Sequence, residues 1–173
     1  MSNYKELLAP IKTFIFDYDG VLTDGSVLIL PDGEAVRGGN VKDGYAIQHA
    51  IKKGYRIVVI SGGKSESMFR RLEMLQVKDA YLGVVNKLDV FKKFIADNKL
   101  NPAEVIYMGD DIPDYEVMLE VGLPCCPEDA AEEIKSIAKY ISHFKGGKGC
   151  VRDIIEQVLN VQGKWMNDDA YHW

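Results

Sequence analysis

The sequence predicts an α/β domain, a Rossmann-like parallel sheet with helices on both faces and an early β-hairpin as its main insertion. Three observations carry this expectation. Short apolar runs alternate with stretches whose apolar residues recur at helical spacing, the pattern of a parallel sheet covered on both sides. Several runs stop at Gly, Ser or Asp, as in Asp17-Tyr18-Asp19-Gly20, Ser61-Gly62-Gly63 and Gly109-Asp110-Asp111. The chain has 173 residues, 47% hydrophobic and 27% charged, which suits one core, and it shows no linker, repeat or low-complexity run.

The elements follow in order. Ile11 to Asp17 is short, rich in Ile and Phe, and reads as a buried strand. Ser26 to Leu30 and Glu34 to Arg37 flank Pro31-Asp32-Gly33, a turn signal, so residues 26–37 read as a hairpin. Asp43 is placed to cap a helix running to about Lys53, ended by Gly54. Tyr55 to Ile60 is the clearest strand. Ser65 to Leu75 is helical, with Met68, Leu72 and Leu75 on one face. Ala80 to Leu82 reads as a strand, Lys87 to Asn98 as a helix, and Glu104 to Met108 as a strand. Then come a short helix over Tyr115 to Glu120, a strand over Leu123 to Cys126, a helix over Ala130 to Ala138, an extended Tyr140 to Ser142, and a last helix over Val151 to Leu159. The tail from about 161 to 173 has no clear period yet holds two tryptophans and a tyrosine; it reads either as loosely ordered or as docked on a neighbouring subunit.

Bulk properties narrow the function. A formal net charge of -5 disfavours a nucleic-acid backbone as the main ligand. No apolar run approaches the ~20 residues needed to span a bilayer. Met1 to Glu6 lack the basic and apolar regions of a signal peptide, and three cysteines make no disulfide framework, so the expected location is the cytoplasm.

Three strand ends hold the chemistry: Asp17/Asp19, Ser61/Gly62, and Asp110/Asp111/Asp114. Ligands bind beyond the carboxyl ends of the strands in such sheets, so these groups converge if the strands are neighbours. Closely spaced carboxylates repel unless a cation sits among them, and hard oxygen ligands suit Mg²⁺. Such a site matches a phosphate monoester. The ion offsets the repulsion between carboxylate and phosphate, Lys87 adds positive charge, and Ser61 and the Gly62 amide hold a phosphoryl oxygen. Asp17, fixed at the strand end, is the better nucleophile, and Asp19, one step into the loop, the better acid and base.

Asp17-Tyr18-Asp19-Gly20-Val21, Ile60-Ser61-Gly62, Lys87 and Gly109-Asp110-Asp111-Ile112-Pro113-Asp114 resemble, in order, the four motifs of the haloacid dehalogenase superfamily. Asp19 to Gly25, Val41-Lys42-Asp43-Gly44, Gly63-Lys64-Ser65-Glu66 and Gly146 to Asp153 are similar to segments of the 3-deoxy-D-manno-octulosonate 8-phosphate phosphatases and their sugar-acid relatives. The resemblance covers about residues 11 to 160 and implies a phosphoric monoester hydrolase. It implies Asp17 as nucleophile and Mg²⁺ ligand, Asp19 as acid/base and as a ligand through its backbone carbonyl, Asp110 as the third ligand, and Asp111 and Asp114 supporting them. It also implies no large cap domain, and a homotetramer in which the hairpins associate and a neighbouring subunit closes the site, with the C-terminal tail helping product leave. One position departs. The octulosonate phosphatases carry Arg after the Ser/Thr-Gly pair, where this chain has Gly63, so Lys64 and Arg152 become the candidates for the substrate carboxylate, and a nonulosonate 9-phosphate stays open as substrate.

Taken singly, the parts read more plainly. Ser61 and Asp110-Asp111 are ordinary helix caps, Lys87 is a solvated lysine, and Asp17/Asp19 a polar turn. Their order together outweighs this. Gly146-Gly147-Lys148-Gly149 lacks the phosphate-loop spacing and reads as a turn that lines the sugar pocket or does nothing there. His49, His143 and His172 lack ligand spacing, and Cys125-Cys126 read as interior packing. Two rivals remain. A signalling receiver domain shares the acidic cluster, but Tyr55 to Ile60 ends in Ser61 and not in the Asp such a domain phosphorylates. An inactive oligomerisation module of the same fold is disfavoured by the intact Asp17, Asp19, Lys87 and Asp110.

Overall fold

The first strand, β1 (Thr13–Phe16), is buried along its whole length because it lies between two other buried strands. The architecture is that of a computed structural model in which residues 4–173 are described, the side chain of Asp168 excepted. After β1 come the hairpin strands β2 (Leu28–Ile29) and β3 (Ala35–Val36), then helix α1 (Val41–Lys52) and strand β4 (Arg56–Ser61). Helix α2 (Glu66–Met74), β5 (Asp79–Leu82), α3 (Lys87–Asp97) and β6 (Val105–Met108) follow. The chain then runs through α4 (Tyr115–Met118), β7 (Leu123–Cys126), α5 (Glu132–Ile137), β8 (Tyr140–Ile141) and α6 (Cys150–Val161).

Among the described residues the main sheet has six strands in the order β5-β4-β1-β6-β7-β8, every neighbouring pair parallel. Side chains of β1 alternate between two cores, as a pleated strand requires. Phe14 and Phe16 pack with residues of α1, α2 and α6, whereas Ile15 packs with Phe91, Phe94, Val117 and Ile134 from α3, α4 and α5. Helices therefore cover both faces. No described helix is long and apolar enough to cross a membrane.

The register aligns the strand ends. Phe16 lies opposite Val59 of β4 and Met108 of β6. Asp17 follows Phe16 directly, and its N–H donates to the Met108 carbonyl at 3.0 Å. Ser61 and Asp110 stand two residues beyond Val59 and Met108, so acidic and hydroxyl groups from three adjacent strands reach one edge of the sheet.

The hairpin is shorter than the sequence suggests, two residues per strand, with Leu28 opposite Val36 and Ile29 opposite Ala35. Its turn has Gly33 at φ 88°, with Leu30 N–H bonded to the Glu34 carbonyl. Val27, Leu28 and Ile29 are all exposed.

Two expectations are corrected. Asn40, and not Asp43, caps α1: its side chain accepts from Lys42 N–H at 2.8 Å and Asp43 N–H at 3.1 Å. Asp43 lies inside the first turn, buried, and accepts the Arg152 N–H at 2.8 Å from α6. Already inside α1, Asp43 cannot cap it, and its carboxylate instead satisfies a first-turn N–H of α6. The tail is ordered, where a loose segment was one of its two expected readings. It folds back along α1 of its own chain, where Trp165 is buried with its ring edge-on to His49, and the His49 Nε2–H donates to the Trp165 carbonyl at 2.9 Å. The Tyr45 hydroxyl donates to the Ala170 carbonyl, and Lys53 pairs with Asp169. An indole left in water would leave a large apolar area unburied, and the apolar rim of α1 supplies the cover.

Candidate active site

The loop after β1 owes its shape to Gly20 and Thr23. Gly20 has φ 85°, and a Cβ there would fall 2.0 Å from Asp110 Oδ2, so only glycine lets the two acidic loops approach. The buried Thr23 Oγ1 accepts from the N–H groups of Gly20 and Gly25 at 3.3 and 3.2 Å and pins the loop from inside. Gly147 N–H bonds to the Val21 carbonyl at 2.9 Å. The Gly146-Gly147 segment thus braces this loop and is not part of the cleft lining.

One cleft of about 320 Å³ gathers Asp17, Asp19, Ser61, Gly62, Lys87, Asp110 and Asp111. Asp17 sits on its floor, almost fully buried. Its Oδ1 accepts Tyr18 N–H at 2.6 Å, and its Oδ2 pairs with Lys87 Nζ at 3.0 Å. Lys87 starts α3, whose cap is Asn86, accepting Asp89 N–H at 3.1 Å. That capped turn points the lysine stem inward, so Lys87 is buried and is not the solvated lysine its isolated sequence context suggests.

Asp114 is the hub behind the cleft. It is fully buried, and each of its oxygens accepts two donors. Oδ1 takes Lys87 Nζ at 2.7 Å and the Tyr107 hydroxyl at 2.6 Å. Oδ2 takes the N–H of Asp110 at 3.1 Å and of Asp111 at 3.4 Å. Four donors occupy the lone pairs a carboxylate offers. Asp110 is the opposite case: its Oδ1 is buried with no hydrogen-bond partner. Asp17, Asp110 and Asp114 each bring an oxygen within 4.8 Å of the others, a spacing that suits a cation. Donor counts divide their roles. Asp17 and Asp110 have oxygen capacity to spare for an ion, and Asp114 supports from behind. Asp111 is exposed, caps the following turn through Ile112 N–H at 2.8 Å, and lies at the cleft rim.

The electrostatics show the same need for positive charge. Burial first, and Asp114 second, push Asp17 up to about 8, with Lys87 opposing. Asp110 is pushed up to about 7 by burial and by Asp114 and Asp111. Burial works against the Lys87 ammonium, but Asp114 and Asp17 outweigh it and hold the lysine above its ordinary value. One buried ammonium does not neutralise three carboxylates.

Ser61 is buried at the end of β4, where its Oγ accepts Gly63 N–H at 3.1 Å and shapes the Ser61-Gly62-Gly63 turn. Two sequence candidates lie elsewhere. Lys64 is exposed, with its stem laid over Gly83, beside a groove lined by Glu66, Phe69 and Leu82. The Arg152 guanidinium stacks over the Trp165 ring at 5.3 Å and bonds to Glu156 at 3.2 Å. Neither reaches the cleft of this chain, because a docked tail and a neighbouring turn hold them. Two participants escaped the sequence reading. Tyr107 is a phenol inside a buried strand, which needs a partner for its O–H, and that need was the available signal. Arg37, at the end of the hairpin, grips Asp19 through Nε to Oδ1 at 2.7 Å and Nη2 to Oδ2 at 3.1 Å; nothing local in the sequence announces it.

This geometry has known counterparts. The family model of haloacid dehalogenase-like hydrolases matches residues 80–153, which carry Lys87, Asp110 and Asp114. The 3-deoxy-D-manno-octulosonate 8-phosphate phosphatase of Salmonella typhi is 36% identical over 154 residues, 89% of this chain and 82% of that protein. The chain therefore belongs to the haloacid dehalogenase-like hydrolases. Within that class, the crystal structure of 3-deoxy-D-manno-octulosonate 8-phosphate phosphatase from Yersinia pestis superposes with TM-score 0.91 at 32% identity, covering 94% of this chain and 88% of that one. The phosphatase of the same name from Moraxella catarrhalis, solved with magnesium ion, phosphate ion and KDO, superposes with TM-score 0.91 at 27% identity over 99% of this chain and 97% of that one.

The raised carboxyl pKa values set a stability prediction. Asp17, Asp110 and also Asp43, raised to about 6 mainly by burial, bind protons more tightly folded than unfolded. The metal-free protein then loses stability as pH rises from about 4 to about 8, because the folded state holds the extra protons. A divalent cation favours the ionised carboxylates, so its stabilising effect grows over the same range. Thermal unfolding in chelator and in added divalent cation, at about pH 5 and about pH 8, measures this. The expected result is a larger cation-induced rise in Tm at the higher pH; an equal rise at both would contradict it.

Proposed function

We propose that the chain is a Mg²⁺-dependent phosphatase that hydrolyses 3-deoxy-D-manno-octulosonate 8-phosphate, or a closely related 2-keto-3-deoxy sugar-acid phosphate, through a phospho-Asp17 intermediate. The observation that carries this reading is Asp17 itself. It lies on the cleft floor at the end of the central strand, held by Lys87, with an oxygen within 4.8 Å of one of Asp110. Similarity to octulosonate phosphatases over most of both chains supports the substrate class.

Asp17 and Asp110, with the Asp19 backbone carbonyl, would hold Mg²⁺. When bound it neutralises charge on the phosphoryl oxygens, and the unpartnered Asp110 oxygen and crowded acidic edge fit that role. The residues of the chain supply the rest. Lys87 fixes the Asp17 carboxylate and shares the phosphate charge. Ser61 and the Gly62 amide orient a phosphoryl oxygen. An Asp17 oxygen attacks phosphorus, the bond from phosphorus to the sugar oxygen breaks, and Asp19 gives that oxygen a proton. Water then attacks phospho-Asp17, passes a proton to Asp19, and the phosphorus bond to Asp17 breaks, which releases inorganic phosphate, frees the Asp17 carboxylate and returns Asp19 to its protonated form. Gly63, where a guanidinium is usual, favours keeping the nine-carbon nonulosonate 9-phosphate as the second substrate candidate.

The exposed Val27, Leu28 and Ile29 of the hairpin support assembly into a homotetramer. Three buried free thiols and the absence of a membrane-crossing helix among the described residues agree with a cytoplasmic protein.

Two measurements test these readings. Phosphate release compared by kcat/KM over octulosonate 8-phosphate, nonulosonate 9-phosphate and a hexose phosphate is expected to favour a sugar acid, and Asp17→Asn to lower it by at least about a thousandfold. Preference for the hexose phosphate would remove the substrate assignment, and activity surviving in Asp17→Asn would remove the nucleophile. Light scattering of Leu28→Asp is expected to report a smaller species than the parent; an unchanged mass would rule out the hairpin as the assembly surface.

A further inference from the structure

The hairpin brings one side chain to the cleft of its own subunit. Arg37, just beyond β3, is held at several points. Its Nη1 donates to the Ala35 carbonyl at 2.6 Å and to Ser65 Oγ at 3.4 Å, and Glu34 Oε1 accepts Ser67 N–H at 3.1 Å, which docks the hairpin on the start of α2. From this anchorage the guanidinium reaches both oxygens of Asp19, and its side chain is only 8% exposed against 31% for Asp19. A long flexible arginine becomes a rigid fork when its donors are committed in this way.

The space for the fork comes from Gly63. A Cβ there would lie 2.7 Å from Asp19 Oδ2 and 3.2 Å from Arg37 Nη2. Any side chain at that position would push against the pair. The absence of a side chain at 63 and the entry of Arg37 from the hairpin are therefore one structural arrangement.

We propose that Arg37 is a positioning residue for Asp19, fixing the plane of the carboxyl group that serves the leaving oxygen. The inference rests on the acid/base role given to Asp19 above. The fork uses one lone-pair site on each oxygen, and a carboxylate offers about four, so capacity remains on the side that faces the cleft. Without the fork, Asp19 sits on a loop with two free torsions, and the geometry for proton transfer is met only part of the time. Lysine cannot replace it, because a point charge does not define a plane.

The test compares leaving groups. Single-turnover release is measured for the sugar-acid phosphate, whose alkoxide leaves only with a proton, and for p-nitrophenyl phosphate, whose phenolate leaves without one. Arg37→Met is expected to slow the sugar-acid step by about tenfold or more, while p-nitrophenolate release changes by less than about threefold, with Arg37→Lys recovering only a minor part. Equal slowing of both substrates would make Arg37 merely structural. A rise in KM with the sugar-acid step unchanged would make it a substrate-binding group. Either outcome overturns the inference. Asp19→Asn in parallel separates it from the reading beneath: if that variant keeps the sugar-acid step, the acid/base role of Asp19 falls. Loss of both steps in Asp17→Asn, together with the leaving-group split in Arg37→Met, sustains both.

Discussion

Everything at the cleft depends on one buried ammonium set between two carboxylates. Lys87 bridges Asp17 and Asp114 at 3.0 and 2.7 Å in a place where neither partner can be left alone without a large desolvation penalty. It ties the end of β1 to the loop after β6 through the first turn of α3, so Asp17, the acidic loop and the helix form one rigid unit. That rigidity matters because phosphoryl transfer rests on positioning and charge more than on covalent assistance from the protein. One ammonium against the three carboxylates of Asp17, Asp110 and Asp114 also leaves the site two positive charges short. Asp17 and Asp110 sit far above the ordinary carboxylate range because burial and Asp114 press on them together. The site is built around a cation it must recruit.

The acidic groups differ less in kind than in how many donors they already hold. Asp114 accepts from Lys87, Tyr107 and two backbone N–H groups and is spent as a ligand. Asp110 keeps a bare buried oxygen and Asp19 an exposed edge. Similar side chains thus differ in the acceptor capacity that the donors around them leave open. The same logic explains Tyr107, whose hydroxyl locks the one carboxylate that must not move.

Much of this was legible from the chain. The strand over Leu123–Cys126 has the bounds the sequence predicts, and the others lie within one or two residues, because buried parallel strands are short and end abruptly at Gly, Ser or Asp. The convergence of Asp17, Ser61 and Asp110 follows from strand order, and order is what spaced motifs encode. What failed were contacts between residues far apart in sequence. Arg152 looks free beside a glycine-rich turn, yet Trp165, from a tail with no periodicity, covers it. Asp43 looks like a cap, but Asn40 three residues earlier does that work and α6 takes Asp43. Arg37 reads as the polar end of a hairpin, and only the fold brings it 2.7 Å from Asp19.

The central claim is that the oxygen of Asp17 bonds to phosphorus during turnover. Acid-quenching the enzyme within its first turnover of sugar-acid phosphate, then locating the added phosphoryl group by peptide mass spectrometry, addresses it directly. The account predicts an acid-stable, hydroxylamine-labile phosphoryl group on the peptide containing Phe14 to Leu22, assigned to Asp17. A phosphoryl group on any other residue, or direct transfer to water with inversion at a chiral phosphorus, would contradict it.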